Sequence, residues 1–196
     1  MSWIYLIRHG VTAANERHLY CGSTDLPLSP AGQTALEGAR IPLPGPCRFA
    51  TSGMRRTAQT LALLFGDVPF RVDPRLREMD FGAFEGKSYD QLRDRPDYQA
   101  WISGDNEQNP TPGGESGAEM TARVLAALED YRNSGENWVL VTHGGPIAAI
   151  MAALFQEEGK NRYQWQPAPG GGYRLEGNTY QAVSPEKGMD NERINH

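Results

Sequence analysis

The chain has 196 residues, of which 39% are hydrophobic and 22% are charged. This length and balance indicate one ordinary globular domain and exclude a disordered chain. The net charge of −5 argues against a general nucleic-acid binder. No apolar run approaches the roughly 20 residues that cross a bilayer, so no membrane partner is expected.

Two cysteines, Cys21 and Cys47, are too few for a disulfide framework and lack the CxxC spacing of a metal site. The apolar run near the N-terminus is short and no basic segment precedes it, so no signal peptide is expected. A reduced, cytoplasmic protein is therefore predicted. The sequence leaves the oligomeric state open, with a homodimer among the options.

The first half of the chain alternates strand-like and helix-like segments. The apolar run Trp3–Arg8 predicts a buried strand. Ser29 followed by Pro30 is typical of a helix N-cap and first helical position, and predicts a helix to about Arg40. Further predicted elements are a strand at 47–52, a helix at 54–65 and a strand at 70–76.

The second half begins with a lid-like insertion at about 80–114, which is rich in glycine and proline and predicts short helices at 89–95 and 98–103. Ser116 and Glu119 form a capping box, which predicts a helix to about Asn133. The later predicted elements are a strand at Trp138–Thr142, a helix at 146–155, a loop at 167–172, a hairpin at 173–183 and a polar tail at 184–196.

The strongest predicted strands are solid apolar runs that alternate with helices. That pattern is typical of a parallel sheet covered on both faces. We therefore predict a three-layer α/β/α sandwich with a mostly parallel central sheet, formed by a single domain over residues 1–183.

Two histidines follow apolar strands in the same way, as His9 before Gly10 and His143 before Gly144. Ligands of open α/β sheets bind beyond the carboxyl ends of the strands, and a helix that starts there favours an anion. One such histidine alone would more often be structural, but two in matched settings favour a shared anion site. A zinc site would need a distant third ligand such as Cys21, and no metal is predicted.

Arginines lie close to both predicted strand ends. Arg8 immediately precedes His9, and Arg55 and Arg56 stand at a predicted helix start. Forked guanidinium groups suit phosphate oxygens. Arg55 is favoured as the ligand, and Arg56 is interpreted as a solvated surface residue.

Together these segments resemble the histidine phosphatase superfamily, the phosphoglycerate mutase-like enzymes. Residues 8–15 resemble the RHGxTxxN motif, and residues 52–60 resemble the SxxxRxxQT element. Three more segments resemble family motifs in the same order: the substrate loop at 20–32, the acid-bearing motif at 77–86 and the second-histidine motif at 142–145.

The resemblance implies a metal-independent phosphatase without a cofactor, acting on a small phosphorylated substrate. His9 would form a phosphohistidine, which water would then hydrolyse. Arg8, Arg55 and His143 would clamp the phosphoryl oxygens. The resemblance also implies phosphate donors from Asn15 and the Gly144 N–H, substrate contacts from Cys21 and Gly22, and proton donation by Glu78.

Some alternatives stay open at this stage. Asp80, Glu85 and Glu115 are rivals of Glu78 as proton donor. The segment 86–112 has no adjacent arginines of the kind that grip a carboxylate in the mutase branch, and Trp101 and Ile102 stand in that place. The chain therefore resembles the broad-specificity and α-ribazole phosphatases more than a 2,3-bisphosphoglycerate-dependent mutase. An inactive phospho-ligand binding protein is the third reading.

Overall fold

A central six-stranded sheet organises the fold in the computed structural model, which describes residues 2–105 and 107–187. Its strand order is β4-β3-β5-β1-β6-β7, and a two-stranded sheet pairs β2 with β8. The described strands are β1 (Trp3–Arg8), β2 (Ala39–Arg40), β3 (Arg48–Thr51), β4 (Phe70–Val72), β5 (Trp138–Thr142), β6 (Gly172–Glu176), β7 (Thr179–Val183) and β8 (Glu186–Lys187).

Helices cover both faces of the central sheet. The described α-helices are α1 (Ala13–Glu16), α2 (Pro30–Leu36), α3 (Arg55–Phe65), α4 (Tyr89–Leu92), α5 (Pro96–Ser103), α6 (Gly117–Asn133) and α7 (Gly144–Leu154). β4, β3, β5 and β1 are mutually parallel, while β6 is antiparallel to both of its neighbours, β1 and β7. The predicted α/β/α sandwich with a mostly parallel sheet is confirmed.

Alternate side chains of β1 enter two different cores, one on each face of the sheet. Tyr5 and Ile7 lie in a cluster with Leu61 of α3. Leu6 lies in the other cluster with Val124 of α6. Burial on both faces explains why β1 and β5 are solid apolar runs rather than alternating ones.

Side-chain caps set the starts of two predicted helices. The Ser29 hydroxyl accepts the Gly32 N–H at 3.0 Å at the start of α2. Ser116 and Glu119 form the reciprocal capping box of α6. The predicted extension of α2 to Arg40 is wrong, because Gly38 adopts a left-handed φ of +72° and the chain after it joins β2.

The third predicted strand is shorter than expected, and its early end helps to position the site. β4 stops at Val72, Asp73 caps the Arg75 N–H at 3.1 Å, and Pro74 opens a 3₁₀ turn. The turn ends at Leu76, whose carbonyl accepts the Thr142 hydroxyl at 2.6 Å. The residues that follow are thereby held beside the carboxyl end of β5.

Two other regions complete the description. In the insertion, Phe84, Tyr98 and Trp101 pack together in the core that contains α6 and α7. The predicted tail is corrected at Glu186–Lys187, which pair with β2, and its residues 188–196 lie outside the described part of the chain. No helix in the described ranges is long and apolar enough to cross a membrane.

Candidate active site

The two matched histidines meet at one edge of the sheet. β1 and β5 are parallel neighbours in which Arg8 pairs with Thr142, so the next residue of each strand reaches the same place. The rings of His9 and His143 lie with their centroids 5.0 Å apart, and both side chains are buried. The predicted convergence of the two imidazoles is confirmed.

His9 presents one free ring nitrogen. Its Nδ1 lies 2.6 Å from the Gly10 carbonyl oxygen, which can only accept, so Nδ1 carries the proton and donates. Burial is the largest cause that lowers the pKa of His9 to about 3, and the nearby positive charge of Arg56 is the second. The hydrogen bond to the Gly10 carbonyl acts in the opposite direction. The ring is therefore neutral near pH 7, with the lone pair of Nε2 available as a nucleophile.

His143 is also neutral, but both of its ring nitrogens are engaged. Nδ1 accepts from Arg56 Nε at 3.3 Å, so Nε2 carries the proton and donates to the Ser52 hydroxyl at 2.9 Å. Burial and the neighbouring His9 hold the pKa of His143 well below its ordinary value. A phosphoryl group next to His9 would gain a donor from His143 only in exchange for the bond to Ser52.

Arg56, and not Arg55, enters the site. The Arg56 guanidinium is buried and donates to the carbonyls of Gly22 and Thr24, each at 2.8 Å. Arg55 is exposed, and its backbone N–H donates to Asp25 at 2.7 Å. The prediction of Arg55 is wrong because the buried face of α3 carries Arg56 and, one turn later, Thr60.

Arg8 is the second cation of the site. Its Nη1 donates to the Pro167 carbonyl at 2.8 Å, while its buried Nε has no hydrogen-bond partner among the described residues. Neither Arg8 nor Arg56 forms a salt bridge to a carboxylate of the described residues. Burial lowers the pKa of both, but arginine stays charged. Two cations that form no salt bridge within the described residues lie next to His9 and favour a bound anion.

Glu78 faces the same site from the loop after the 3₁₀ turn. Its Oε2 accepts the Gly145 N–H at 2.9 Å, in the first turn of α7, and its Oε1 accepts the Met79 N–H at 2.9 Å. The negative charge of the Glu78 carboxylate raises the pKa of both Arg8 and Arg56 and so opposes the effect of burial. A Cβ on Gly145 would lie 2.1 Å from Glu78 Oε1, so this approach requires glycine.

The three rival carboxylates have structural partners instead. Glu85 accepts from the backbone of Gly22, Ser23 and Thr24. The remaining two are also bonded: Asp80 accepts the Gly82 N–H at 2.9 Å, and Glu115 forms an ion pair with Arg123. Glu78 is hydrogen-bonded as well, but of these four carboxylates it alone bonds to the first turn of α7, directly after His143. This position keeps Glu78 ahead of Asp80, Glu85 and Glu115 as the candidate proton donor.

Two predicted phosphate donors occupy different settings. The Asn15 Oδ1 caps α1 by accepting the Thr12 N–H and hydroxyl, each at 2.9 Å, so part of this side chain serves the local fold. Gly144 begins α7, with His143 as the N-cap. Its N–H has no hydrogen-bond partner within the described ranges and remains available to an anion.

The predicted substrate contacts, Cys21 and Gly22, act instead on the loop that holds Arg56. The Cys21 thiol donates to the Thr24 carbonyl at 3.6 Å, and burial raises its pKa. A Cβ on Gly22 would lie 1.6 Å from the Met79 carbonyl oxygen, so glycine is required for this close approach. Neither residue lines the cavity that adjoins Glu78, whereas their neighbour Tyr20 does.

That cavity has a volume of about 290 Å³, and Glu78 and Gly145 are among the residues that line it. Its apolar wall consists of Tyr20, Met79, Phe81, Trp101, Ile102, Met120 and Tyr163. Arg162 lies in the wall but pairs with Glu107. Trp101 and Ile102 belong to the predicted insertion, which therefore supplies an apolar wall rather than cations.

The described residues contain no group of three or more His, Cys, Asp and Glu side chains placed to hold a metal ion.

The family model for the histidine phosphatase superfamily (branch 1) matches residues 4–184. The chain belongs to this superfamily. The proteins that this chain resembles are named for several different activities.

A relative from Hydrogenobacter thermophilus, "Putative phosphoserine phosphatase 2", is 36% identical over 162 residues, which is 79% of each chain. The crystal structure of phosphoglycerate mutase from Thermus thermophilus superposes with a TM-score of 0.70 at 30% identity and covers 96% of this chain and 99% of that one. A "putative alpha-ribazole-5'-P phosphatase" from Escherichia coli gives a TM-score of 0.75 at 23% identity, covering 97% and 99%, which shows the shared fold.

Several site residues of this superfamily member were not predicted from the sequence. The SxxxRxxQT spacing, counted from Ser52, reaches Arg56, so the correct arginine was present in the motif. Ser52 belongs to the same motif, but the motif alone predicts no role for it. The carbonyl of Pro167 carries no sequence signal at all, because it is a backbone atom brought to Arg8 across the sheet.

Proposed function

We propose that this histidine phosphatase is a phosphomonoesterase that acts through a phosphohistidine at His9. The observation that carries the proposal is the tautomer of His9. Its Nδ1–H is bonded to the Gly10 carbonyl at 2.6 Å, so Nε2 is the nucleophilic nitrogen. Arg8 and Arg56, which form no salt bridge in the described part of the chain, would stabilise the charge on the transferring group.

The reaction has two steps. In the first, His9 Nε2 forms a bond to phosphorus, the ester P–O bond breaks, and the leaving oxygen takes the proton of the Glu78 carboxyl group. In the second, Glu78 takes a proton from water, the water oxygen bonds to phosphorus, and the N–P bond breaks. His9 is regenerated with its Nδ1 proton unchanged.

The preferred substrate is proposed to have an aromatic or apolar leaving group, such as α-ribazole 5′-phosphate. The apolar wall of the cavity beside Glu78 supports this proposal, because it would pack against a flat ring. Arg162 in that wall is neutralised by Glu107, which disfavours tight binding of a phosphoglycerate carboxylate. Hydrolysis is accordingly favoured over mutase activity.

The test is hydrolysis of p-nitrophenyl phosphate in the presence of excess chelator. Wild type should turn over many times, and His9→Ala should lose at least about 100-fold in kcat, the scale expected for removing a nucleophile. His18→Asn, which changes an exposed histidine, is the matched control. Substantial turnover by His9→Ala would refute the nucleophile assignment.

A substrate panel tests the finer proposal. α-Ribazole 5′-phosphate should give a higher kcat/KM than phosphoserine or 3-phosphoglycerate, because only its base can fill the apolar cavity. Phosphoglycerate interconversion faster than hydrolysis, after priming with 2,3-bisphosphoglycerate, would identify a mutase instead. Stoichiometric binding of these esters without turnover would identify a binding protein.

A further inference from the structure

One half-buried arginine outside the catalytic site holds the chain segment that carries Glu78. Arg123 lies on α6, and its guanidinium makes five hydrogen bonds. Nη1 donates to the carbonyls of Arg75 at 2.8 Å and Arg77 at 2.7 Å, and Nη2 donates to the carbonyl of Glu78 at 3.0 Å. Nε and Nη2 also donate to Glu115 at 2.6 and 2.7 Å.

These bonds use the whole donor capacity of the side chain, since a guanidinium carries five N–H groups in a fixed fork. Three of the five acceptors are main-chain carbonyls at or just before Glu78. Glu115 then holds the other side of the segment, because its Oε2 accepts the Asp80 N–H at 3.3 Å and its own N–H donates to the Asp80 carbonyl at 2.9 Å.

The backbone groups of this segment need hydrogen-bond partners from elsewhere in the chain. Residues 77–81 contain neither helix nor strand, so no regular ladder satisfies their backbone groups. Glu78 points its carboxylate toward Gly145, while its backbone carbonyl is bound by Arg123. The position of the carboxyl group relative to the phosphoryl site thus depends on a side chain that does not itself touch the substrate.

Resting on the function proposed above, we infer that Arg123 is a positioning residue for proton donation by Glu78. Arg123 fixes the backbone on which Glu78 is mounted, and Glu115 fixes Arg123 through two bonds. Removal of the fork leaves three carbonyls without their donor and releases the segment. Even small displacements of a proton donor slow its transfer to the leaving oxygen.

The test uses two substrates that differ in their need for an acid. An alkyl phosphate has a poor leaving group that requires protonation, whereas p-nitrophenyl phosphate releases p-nitrophenolate, which leaves as a stable anion. Arg123→Lys and Arg123→Ala should lower kcat/KM for the alkyl ester by roughly 30- to 1,000-fold, toward the scale of general acid catalysis. For the aryl ester we expect a loss of less than about fivefold, because acid assistance contributes little there.

Glu115→Gln provides a second, milder variant with the same expected selectivity, which keeps the test valid where Arg123→Ala does not fold. Arg132→Ala is the matched control, since it removes an exposed arginine from the same helix. In a Glu78→Gln background, Arg123→Lys should cause little further loss for the alkyl ester, because both substitutions remove one function.

Equal losses of kcat/KM for both substrates would overturn the inference and leave Arg123 with a purely structural role. Full additivity of Arg123→Lys and Glu78→Gln would overturn it as well. Should Glu78→Gln itself fail to discriminate between the two esters, the assignment of the proton donor is wrong, and the role of Arg123 falls with it. Failure of the proposed hydrolase activity is separately visible, since wild type would then hydrolyse neither ester.

Discussion

Neighbouring arginines at the start of α3 provide a sharp comparison. Arg56→Met removes a buried cation and keeps an unbranched side chain of similar length, while Arg55→Met makes the same chemical change at an exposed position. Both substitutions remove one positive charge from the same helix turn. Any difference between them therefore reports the position of the charge rather than the net charge of the protein.

The expected magnitude follows from the contacts of Arg56. Loss of a preorganised donor to a transferring group costs about 100- to 1,000-fold in kcat, so Arg56→Met should lose activity on that scale. The substitution also leaves the carbonyls of Gly22 and Thr24 without a donor, at roughly 1–3 kcal/mol each. Release of a buried charge that has no carboxylate partner offsets part of this cost. We expect a net loss of about 1–3 kcal/mol in the free energy of unfolding.

The assay combines p-nitrophenyl phosphate kinetics with urea unfolding for wild type and both variants. Arg55→Met should stay within about twofold of wild type in kcat and within about 0.5 kcal/mol in stability, as is usual for surface substitutions. Similar losses of kcat in both variants would refute the placement of Arg56 at the phosphoryl site. So would nearly full activity in Arg56→Met.

Two further predictions follow from the packing and protonation of the site. Gly145→Ala should strongly reduce kcat/KM for an alkyl phosphate, because its Cβ would lie 2.1 Å from Glu78 Oε1 and displace the proton donor. A Cβ added at Gly45 would have no atom of the described residues within 4 Å, so Gly45→Ala should be neutral with the same ester. The pKa values of His9 and His143 are lowered in the folded state, so the unfolded chain binds protons first as the pH falls below 6.5. The free energy of unfolding should therefore be highest above pH 6.5 and fall as the pH drops below it, by up to about 1.4 kcal/mol per pH unit for each histidine that stays neutral in the folded state. For His9 this fall should extend to about pH 3. Unfolding at stepped pH should show a shallower slope for His143→Asn. If the free energy of unfolding of His143→Asn depended on pH as steeply as that of wild type, the lowered pKa of His143 would be contradicted.

The sequence was sufficient for the features that depend on local pattern. Solid apolar runs predicted β1 and β5, and the shared strand-His-Gly pattern predicted that His9 and His143 converge, because parallel neighbours end at one edge. The capping box of Ser116 predicted the start of α6 correctly. In each case the deciding interaction lies within a few residues or follows from the direction of the strands.

Other features depended on contacts that the sequence does not display. The choice between Arg55 and Arg56 depends on which face of α3 is buried, and their shared place at a predicted helix start does not distinguish them. Arg123 reaches carbonyls more than 40 positions away, and those acceptors are backbone atoms common to every residue. The same holds for the Pro167 carbonyl that binds Arg8.

The central claim is that His9 Nε2 carries the phosphoryl group between the two steps. The most direct measurement mixes the enzyme with an excess of a ³²P-labelled aryl phosphate, quenches in alkali within milliseconds, and locates the label by peptide mass spectrometry. We predict one phosphoryl group on His9, stable in alkali and labile in acid, which accumulates further in Glu78→Gln and is absent from His9→Ala. Label on any other residue, or turnover without any labelled enzyme, would contradict the mechanism.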